Sequence, residues 1–303
     1  MAEALNYATQ YQQALDQVFE RRLHFQAMRT NPMNAQIRWL GGKSVRIPTL
    51  STTGNSDRDR DGVTLAQRNF DISWQTMDLK FDRDWNTSID PMDIDEGNMV
   101  ATIQNIGGVH VLEHTIPERD KYFISKAYAE WLALDNVADT TEISAKSVLQ
   151  VFDRLMEQMT DSNVPETGRV LYITPQIKTM LISAADVERS LSVRESGTSL
   201  NRDVMQLDNV QVVTVPSDTM RTLYDFKKGA NIAANSAQIN MFLGVNAAIL
   251  NPMKYQSVMI SPPTAHTKDN WIYFERYYED VFVLENKAKG LAFNITAKPK
   301  QGA

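Results

Sequence analysis

Residues 143–184 constrain this 303-residue chain most tightly. Val148, Phe152, Leu155 and Met159 recur every three or four positions, the spacing of a helix that buries one face. Val164-Pro165 and Gly168 then break the helix, and 170–173 (Val-Leu-Tyr-Ile) reads as a buried strand. Thr174 stands at a helix-cap position with Pro175 behind it, where a missing N–H costs nothing, so a second helix follows. Helix, strand and helix in immediate succession make a central α/β unit.

The chain is long enough to bury a sizeable core and to hold two domains. Hydrophobic residues make up 43% and charged residues 22%, as in an ordinary globular protein. No apolar run approaches the roughly 18 residues of a membrane span, and residues 1–11 lack the basic start and apolar block of a secretory signal. Cysteine is absent, which excludes disulfides and thiolate metal sites. A protein kept in a cytoplasm is the expectation. The net charge of −6 and the lack of a basic stripe argue against a sequence-specific DNA reader, whose affinity comes largely from neutralising phosphates.

Along the chain, Tyr11, Leu15, Val18, Phe19 and Leu23 share one face of an N-terminal helix. Such a helix is marginal in water unless it docks on the body or on another subunit. Residues 44–50 read as a strand with Pro48 at an edge position. Residues 70–81 read as one longer strand of roughly 40 Å. In it Phe70, Ile72 and Trp74 alternate, and Met77, Leu79 and Phe81 alternate one residue out of step. That phase change predicts a bulge or sharp twist near Gln75 and Thr76. With the polar tip 51–69 the two strands form a long hairpin that has no core of its own. Its apolar sides, and those of the leading arm, are expected to find cover on other copies of the chain.

Pro91 opens a helix carrying Met99, Ile103, Ile106 and Val109 or His110, bent or closely crossed at Gly107-Gly108. Thr115-Ile-Pro-Glu118 is a capping-box pattern that opens a second helix with Phe123, Ala127, Trp131 and Leu134 on one face. Residues 210–215, 239–243, 247–250 and 257–260 are short β-rich or apolar runs, and 271–285 and 291–298 read as closing antiparallel strands.

This order of parts resembles the major capsid proteins of tailed bacteriophages, the Hong-Kong-ninety-seven-type fold. The residues that carry the resemblance are Val164-Pro165-Glu-Thr-Gly168-Arg169 leading to Thr174-Pro175, and Leu207-Asp-Asn-Val-Gln-Val-Val213 with Val215-Pro216. Ala248-Ile249-Leu250 followed by Val258, and Tyr277-Tyr278-Glu-Asp-Val281-Phe-Val283, also match. The resemblance implies an α+β fold with an N-terminal arm (1–40), an extended hairpin loop (41–82), a peripheral domain with a long helix (83–140, with return strands 251–303) and an axial α/β domain (141–250). It implies a non-enzymatic shell subunit without cofactor, metal or catalytic residues. Copies form pentamers and hexamers that enclose packaged double-stranded DNA without sequence-specific binding, and the virion capsid is assembled in the host bacterial cytoplasm. Residues 1–40 are too short for a cleavable scaffolding region, so a separate scaffolding protein is expected, with a portal and decoration proteins as further partners. Some relatives crosslink a loop lysine; Lys43 sits at the hairpin base here, so that chemistry is not expected. An encapsulin-like nanocompartment shell is the rival within the fold.

Six residues are the expected inter-subunit contacts. Asp57, Arg58, Asp59, Arg60 and Asp61 alternate in sign at the hairpin tip and suit complementary charges on a neighbour, and Trp74 is an apolar anchor. Two metal-like patterns compete with this reading. His110-Val-Leu-Glu113-His114 matches H-x-x-E-H, which on a helix presents two zinc ligands and a general base, and would make the chain a zinc hydrolase given a third ligand such as Glu118 or Glu130. The favoured reading of these residues is the polar stripe of a packed helix, since Gly107-Gly108 just upstream disrupts the helix a zinc site needs. Asp57-x-Asp59-x-Asp61-Gly62 begins like a calcium loop, but Arg68 stands where the bidentate glutamate belongs.

Overall fold

A computed structural model describes residues 22–55, 69–92, 103–184 and 206–297. The described chain begins with a short helix α1 (Gln26–Arg29), a 3-10 turn (Pro32–Gln36) and strand β1 (Arg38–Leu40). The hairpin strands β2 (Ser44–Thr52) and β3 (Phe70–Asp78) come next, then β4 (Phe81–Ile89). Helix α2 (Ile103–His110), one π-helical turn (Val111–Thr115) and α3 (Ile116–Ala133) run on without a break. The unit α4 (Val148–Asp161), β5 (Arg169–Ile173) and α5 (Pro175–Ser183) follows. Strands β6 (Gln206–Leu207), β7 (Val210–Thr214), β8 (Tyr224–Asp225), β9 (Asn231–Ile232) and β10 (Ile239–Val245) come after it. The remainder is β11 (Ile249–Leu250), β12 (Met253–Ser261), β13 (Trp271–Glu279), β14 (Phe282–Val283) and β15 (Leu291–Ile295).

The central sheet has the order β15-β10-β5-β7-β6, with β5 and β7 parallel and the other neighbours antiparallel. Val148, Phe152, Leu155 and Met159 of α4 are all buried and pack with Leu171, Ile173, Met241 and Leu243 on one face of this sheet. On the other face Tyr172, Phe242 and Phe293 stack, with ring centres 5.5 and 4.6 Å apart, beneath Phe123 and Trp131 of α3. A sheet covered on both faces explains why every residue of β5 is buried. Strand Leu291–Ile295, expected among the return strands, instead lies at the edge of this sheet beside β10.

Arg169 gives the Gly168-Arg169 pair a physical reason. Gly168 turns the chain at φ +83°, and the buried Arg169 side chain then donates to Pro165 O (3.0 Å), Val164 O (2.6 Å) and Thr160 Oγ1 (3.2 Å). It thereby satisfies acceptors around the end of α4 that no helical N–H can reach. Thr174 occupies the cap position of α5 with Pro175 next, but its side chain makes no capping bond; its backbone N–H donates to Asn240 O instead (3.3 Å).

A second sheet, β12-β13-β4, lies under the helical run. Gly107 is the close crossing: a Cβ there would stand 2.7 Å from the Tyr273 ring. The capping box at Thr115 does not form. Thr115 is helical and makes no side-chain cap, because the π-helical turn carries α2 straight into α3. The residues Met99 and Pro91 to Asp95 of the expected first helix fall largely outside the described residues.

The hairpin also departs from expectation. β2 and β3 pair without interruption from Ser44↔Asp78 to Thr52↔Phe70, so there is no bulge at Gln75–Thr76. The strand ends at Asp78, and Phe81 begins β4 in the other sheet, on the edge of β13. Of the out-of-step apolar sets, Phe70, Ile72 and Trp74 lie on one face of the ribbon and Met77 on the other, while Leu79 lies in the link and Phe81 in β4.

Candidate assembly surface

Residues directly opposite each other in an antiparallel ladder share a face. One face of the hairpin therefore carries Val45, Ile47 and Met77, and at its base these pack with Leu79, Leu250, Tyr278, Phe282 and Leu284 of the body. The opposite face carries Pro48 against Trp74, Leu50 against Ile72 and Thr52 against Phe70. There Leu50 is 64% exposed, Phe70 and Ile72 are each 48% exposed, and Trp74 is 45% exposed. On that face Leu50 and Ile72 present apolar surface that the rest of the described chain leaves exposed. Trp74 lies at the inner end of the stripe, where the Arg38 guanidinium stands 5.7 Å from its ring centre. Arg38, Leu40, Arg46, Trp39 and Trp74 together line a recess of about 250 Å³. The tip residues Asp57, Arg58, Asp59, Arg60 and Asp61 lie outside the described residues.

A second uncovered surface is β12, an edge strand with Tyr255, Val258, Met259 and Ile260 all exposed. Sequence reading missed it because a run such as Val258-Met-Ile260 looks like a buried strand, whereas here the sheet ends beside it.

The hairpin root is held by buried charge. Glu279 accepts from Arg119 Nε (2.8 Å) and Nη2 (2.6 Å) and lies 3.4 Å from Arg29 Nη1. Arg29 comes from the arm and also donates to Asn251 Oδ1 (2.8 Å) and Arg119 O (2.9 Å). Burial alone would raise the Glu279 carboxyl, but the Arg119 hydrogen bonds and the Arg29 charge outweigh it and hold it below its ordinary range. The neighbouring Asp280 is fully buried and accepts from Tyr122 Oη, Lys80 N and Val281 N, each at 2.7 Å; burial still pushes it above the usual carboxylate range. Lys80 is the link between β3 and β4, so this carboxylate fixes the point where the hairpin leaves the body. Of the arm, Tyr11, Leu15, Val18 and Phe19 lie outside the described residues, whereas the part around Phe25 packs on its own chain and Trp39 and Leu40 stay exposed. Phe25 and Met28 are buried in the main core, and His24 N donates to Asp120 Oδ2 (2.7 Å).

The H-x-x-E-H residues sit on the helical run at a cavity of about 380 Å³, shared with Arg83, Trp85, Glu118, Glu275 and Tyr277 among others. His110 stacks flat on Trp85, ring centres 3.7 Å apart, and its ring centre is 5.3 Å from that of His114. Burial first, and the His114 charge second, lower the His110 pKa to about 4, so the ring is neutral at physiological pH. Glu118 is paired with Arg83 at 2.5 Å. Among the described residues no three His, Asp or Glu side chains come together as a metal site, and Glu118 is not placed as a third ligand. The catalytic zinc centre of the hydrolase reading is not assembled.

Over nearly its whole length the chain matches solved phage structures. The asymmetric unit of the bacteriophage PhiM1 mature capsid superposes with a TM-score of 0.66 at 10% identity, covering 94% of this chain and 90% of that one. The capsid structure of cyanophage P-SCSP1u gives 0.65 at 14% identity, covering 94% and 91%. This is the phage-capsid fold. A structure from Mycobacterium phage Che8 agrees, with a TM-score of 0.63 at 12% identity over 92% and 93% of the two chains. No protein-family model and no curated protein matches the chain. The phage-capsid fold is thus preserved here at identities where few side chains coincide, which places the constraint on element order and on the apolar pattern of each element.

Proposed function

We propose that the chain is the shell-forming subunit of an icosahedral phage head, a structural and non-catalytic protein that assembles with copies of itself into pentamers and hexamers around packaged double-stranded DNA. The observation that carries this reading is the stripe of exposed Leu50, Ile72 and Trp74, held out on a ribbon whose root is fixed. A second copy is the natural cover, because a shell multiplies many modest contacts into one closed particle. The fold match over more than nine-tenths of the chain agrees with it. The alternating charges Asp57, Arg58, Asp59, Arg60 and Asp61 at the tip set the register of that contact more than its strength, since exposed ion pairs contribute only about 0–1 kcal/mol. Scaffolding, portal and decoration proteins are the remaining partners, and the capsid, built in the host cytoplasm, is the location.

Electron microscopy of the purified, concentrated chain tests the reading. Closed, uniform shells are expected, and shells that enclose DNA in infected cells distinguish a phage head from a nanocompartment filled with protein. A compact, monodisperse monomer at every concentration refutes it. In a second arm, Arg58→Glu with Arg60→Glu leaves the fold intact and lowers the yield of closed shells; an unchanged yield removes the role of the tip.

A further inference from the structure

We propose that His110 and His114 form a two-ligand site for a zinc- or nickel-type divalent ion that clips the π-helical turn of the long helix. The ring separation is that of a chelate. Two imidazole nitrogens bound at about 2.0–2.1 Å to one tetrahedral ion place their ring centres roughly 5 Å apart, and the two rings stand 5.3 Å apart before any ion is added. His110 is already oriented, clamped flat on Trp85 at an interplanar angle of 8°. His114 is largely exposed, so an ion can enter from solvent. His110 caps the π-helical turn Val111–Thr115 and His114 lies within it, the kind of local irregularity that recurs at functional sites. The adjoining cavity is acidic in balance: Asp84, Glu118 and Glu275 outnumber Arg83, whose charge is matched by Glu118. Glu113 Oε2 lies 4.0 Å from His114 Nε2, and water fills the remaining positions. Imidazole donors with open positions select zinc, nickel or copper over magnesium and calcium. The site is independent of the assembly reading, because every group belongs to one chain.

Calorimetric titration of the purified full-length chain with Zn²⁺ and with Ni²⁺ is the test. One ion per chain is expected, no heat with Mg²⁺, and affinity weakened by at least about tenfold in His114→Ala, an exposed position that leaves folding untouched. His266→Ala, at an exposed histidine outside the site, retains binding. As a second readout, bound Ni²⁺ quenches the indole on which His110 stacks, and this part of the quenching vanishes in Trp85→Phe. A wild-type chain that binds neither ion, or binding and quenching unchanged in His114→Ala, overturns the proposal.

Discussion

Replacing Trp74 by alanine separates assembly from folding. A tryptophan presents roughly 150–250 Å², and with 45% of Trp74 exposed, about 100 Å² remains to be covered by a neighbour. At about 25 cal/mol/Å² that area contributes about 2.5 kcal/mol when covered, and ordering and desolvation at the contact reduce the net to about 1.5–2.5 kcal/mol. Each 1.4 kcal/mol is tenfold, so the concentration at which shells appear should rise roughly 10- to 60-fold. Within the single chain the substitution also removes the Arg38 contact over the ring, about 0.5–1 kcal/mol at an exposed site, and the packing of the covered part of the ring opposite Pro48, a loss that thermal unfolding of the dissociated chain reads separately from assembly. Light scattering against protein concentration, with particles confirmed by electron microscopy, reads the threshold. A threshold equal to wild type, with fold intact, refutes the stripe as the covered surface.

Other expectations concern the root and the helix crossing. Glu279→Ala strands the buried Arg29 and the partly buried Arg119 guanidinium groups and should destabilise the chain by about 3–5 kcal/mol in urea unfolding, with the hairpin released from the body. Because Glu279 titrates lower in the folded chain than in the unfolded one, its contribution is present above the unfolded carboxylate range and is lost as pH falls through the folded value. Unfolding measured from about pH 6 down to pH 3 should therefore show an acid limb that flattens in Glu279→Gln. Gly107→Ala places a methyl group 2.7 Å from the Tyr273 ring and should cost about 1–3 kcal/mol by thermal unfolding despite the better helix propensity of alanine; an unchanged midpoint would show that the crossing can relax.

What the sequence displayed and what it concealed follow one physical division. The α4-β5-α5 unit was legible because its signals are local: Val148 to Met159 at helical spacing, a break at Val164-Pro165, a buried strand of consecutive apolar residues. The end of β3 was not, since apolar residues on both faces of a ribbon look the same as a slip of register until the two faces are seen against different surroundings. The place of β15 beside β10 depends on pairing across fifty residues of chain, which spacing does not encode. The network of buried Arg29, Glu279 and Asp280 with the partly buried Arg119 was also passed over, as charged residues read as solvent-facing by default. Its signal was present in Tyr277-Tyr278-Glu279-Asp280-Val281-Phe282, two acids enclosed by apolar neighbours on both sides. Of the expected contact residues, only Trp74 lies among the described residues, at the inner end of the exposed stripe.

The ribbon's division of labour has an evolutionary corollary. Adding or deleting one residue inside Phe70–Asp78 turns the docked base outward and the stripe inward at once, so both partners of the ribbon are lost in a single step. Length changes of two residues preserve both orientations and merely extend or shorten the reach. Among natural variants of this chain, indels in that strand should come in even numbers.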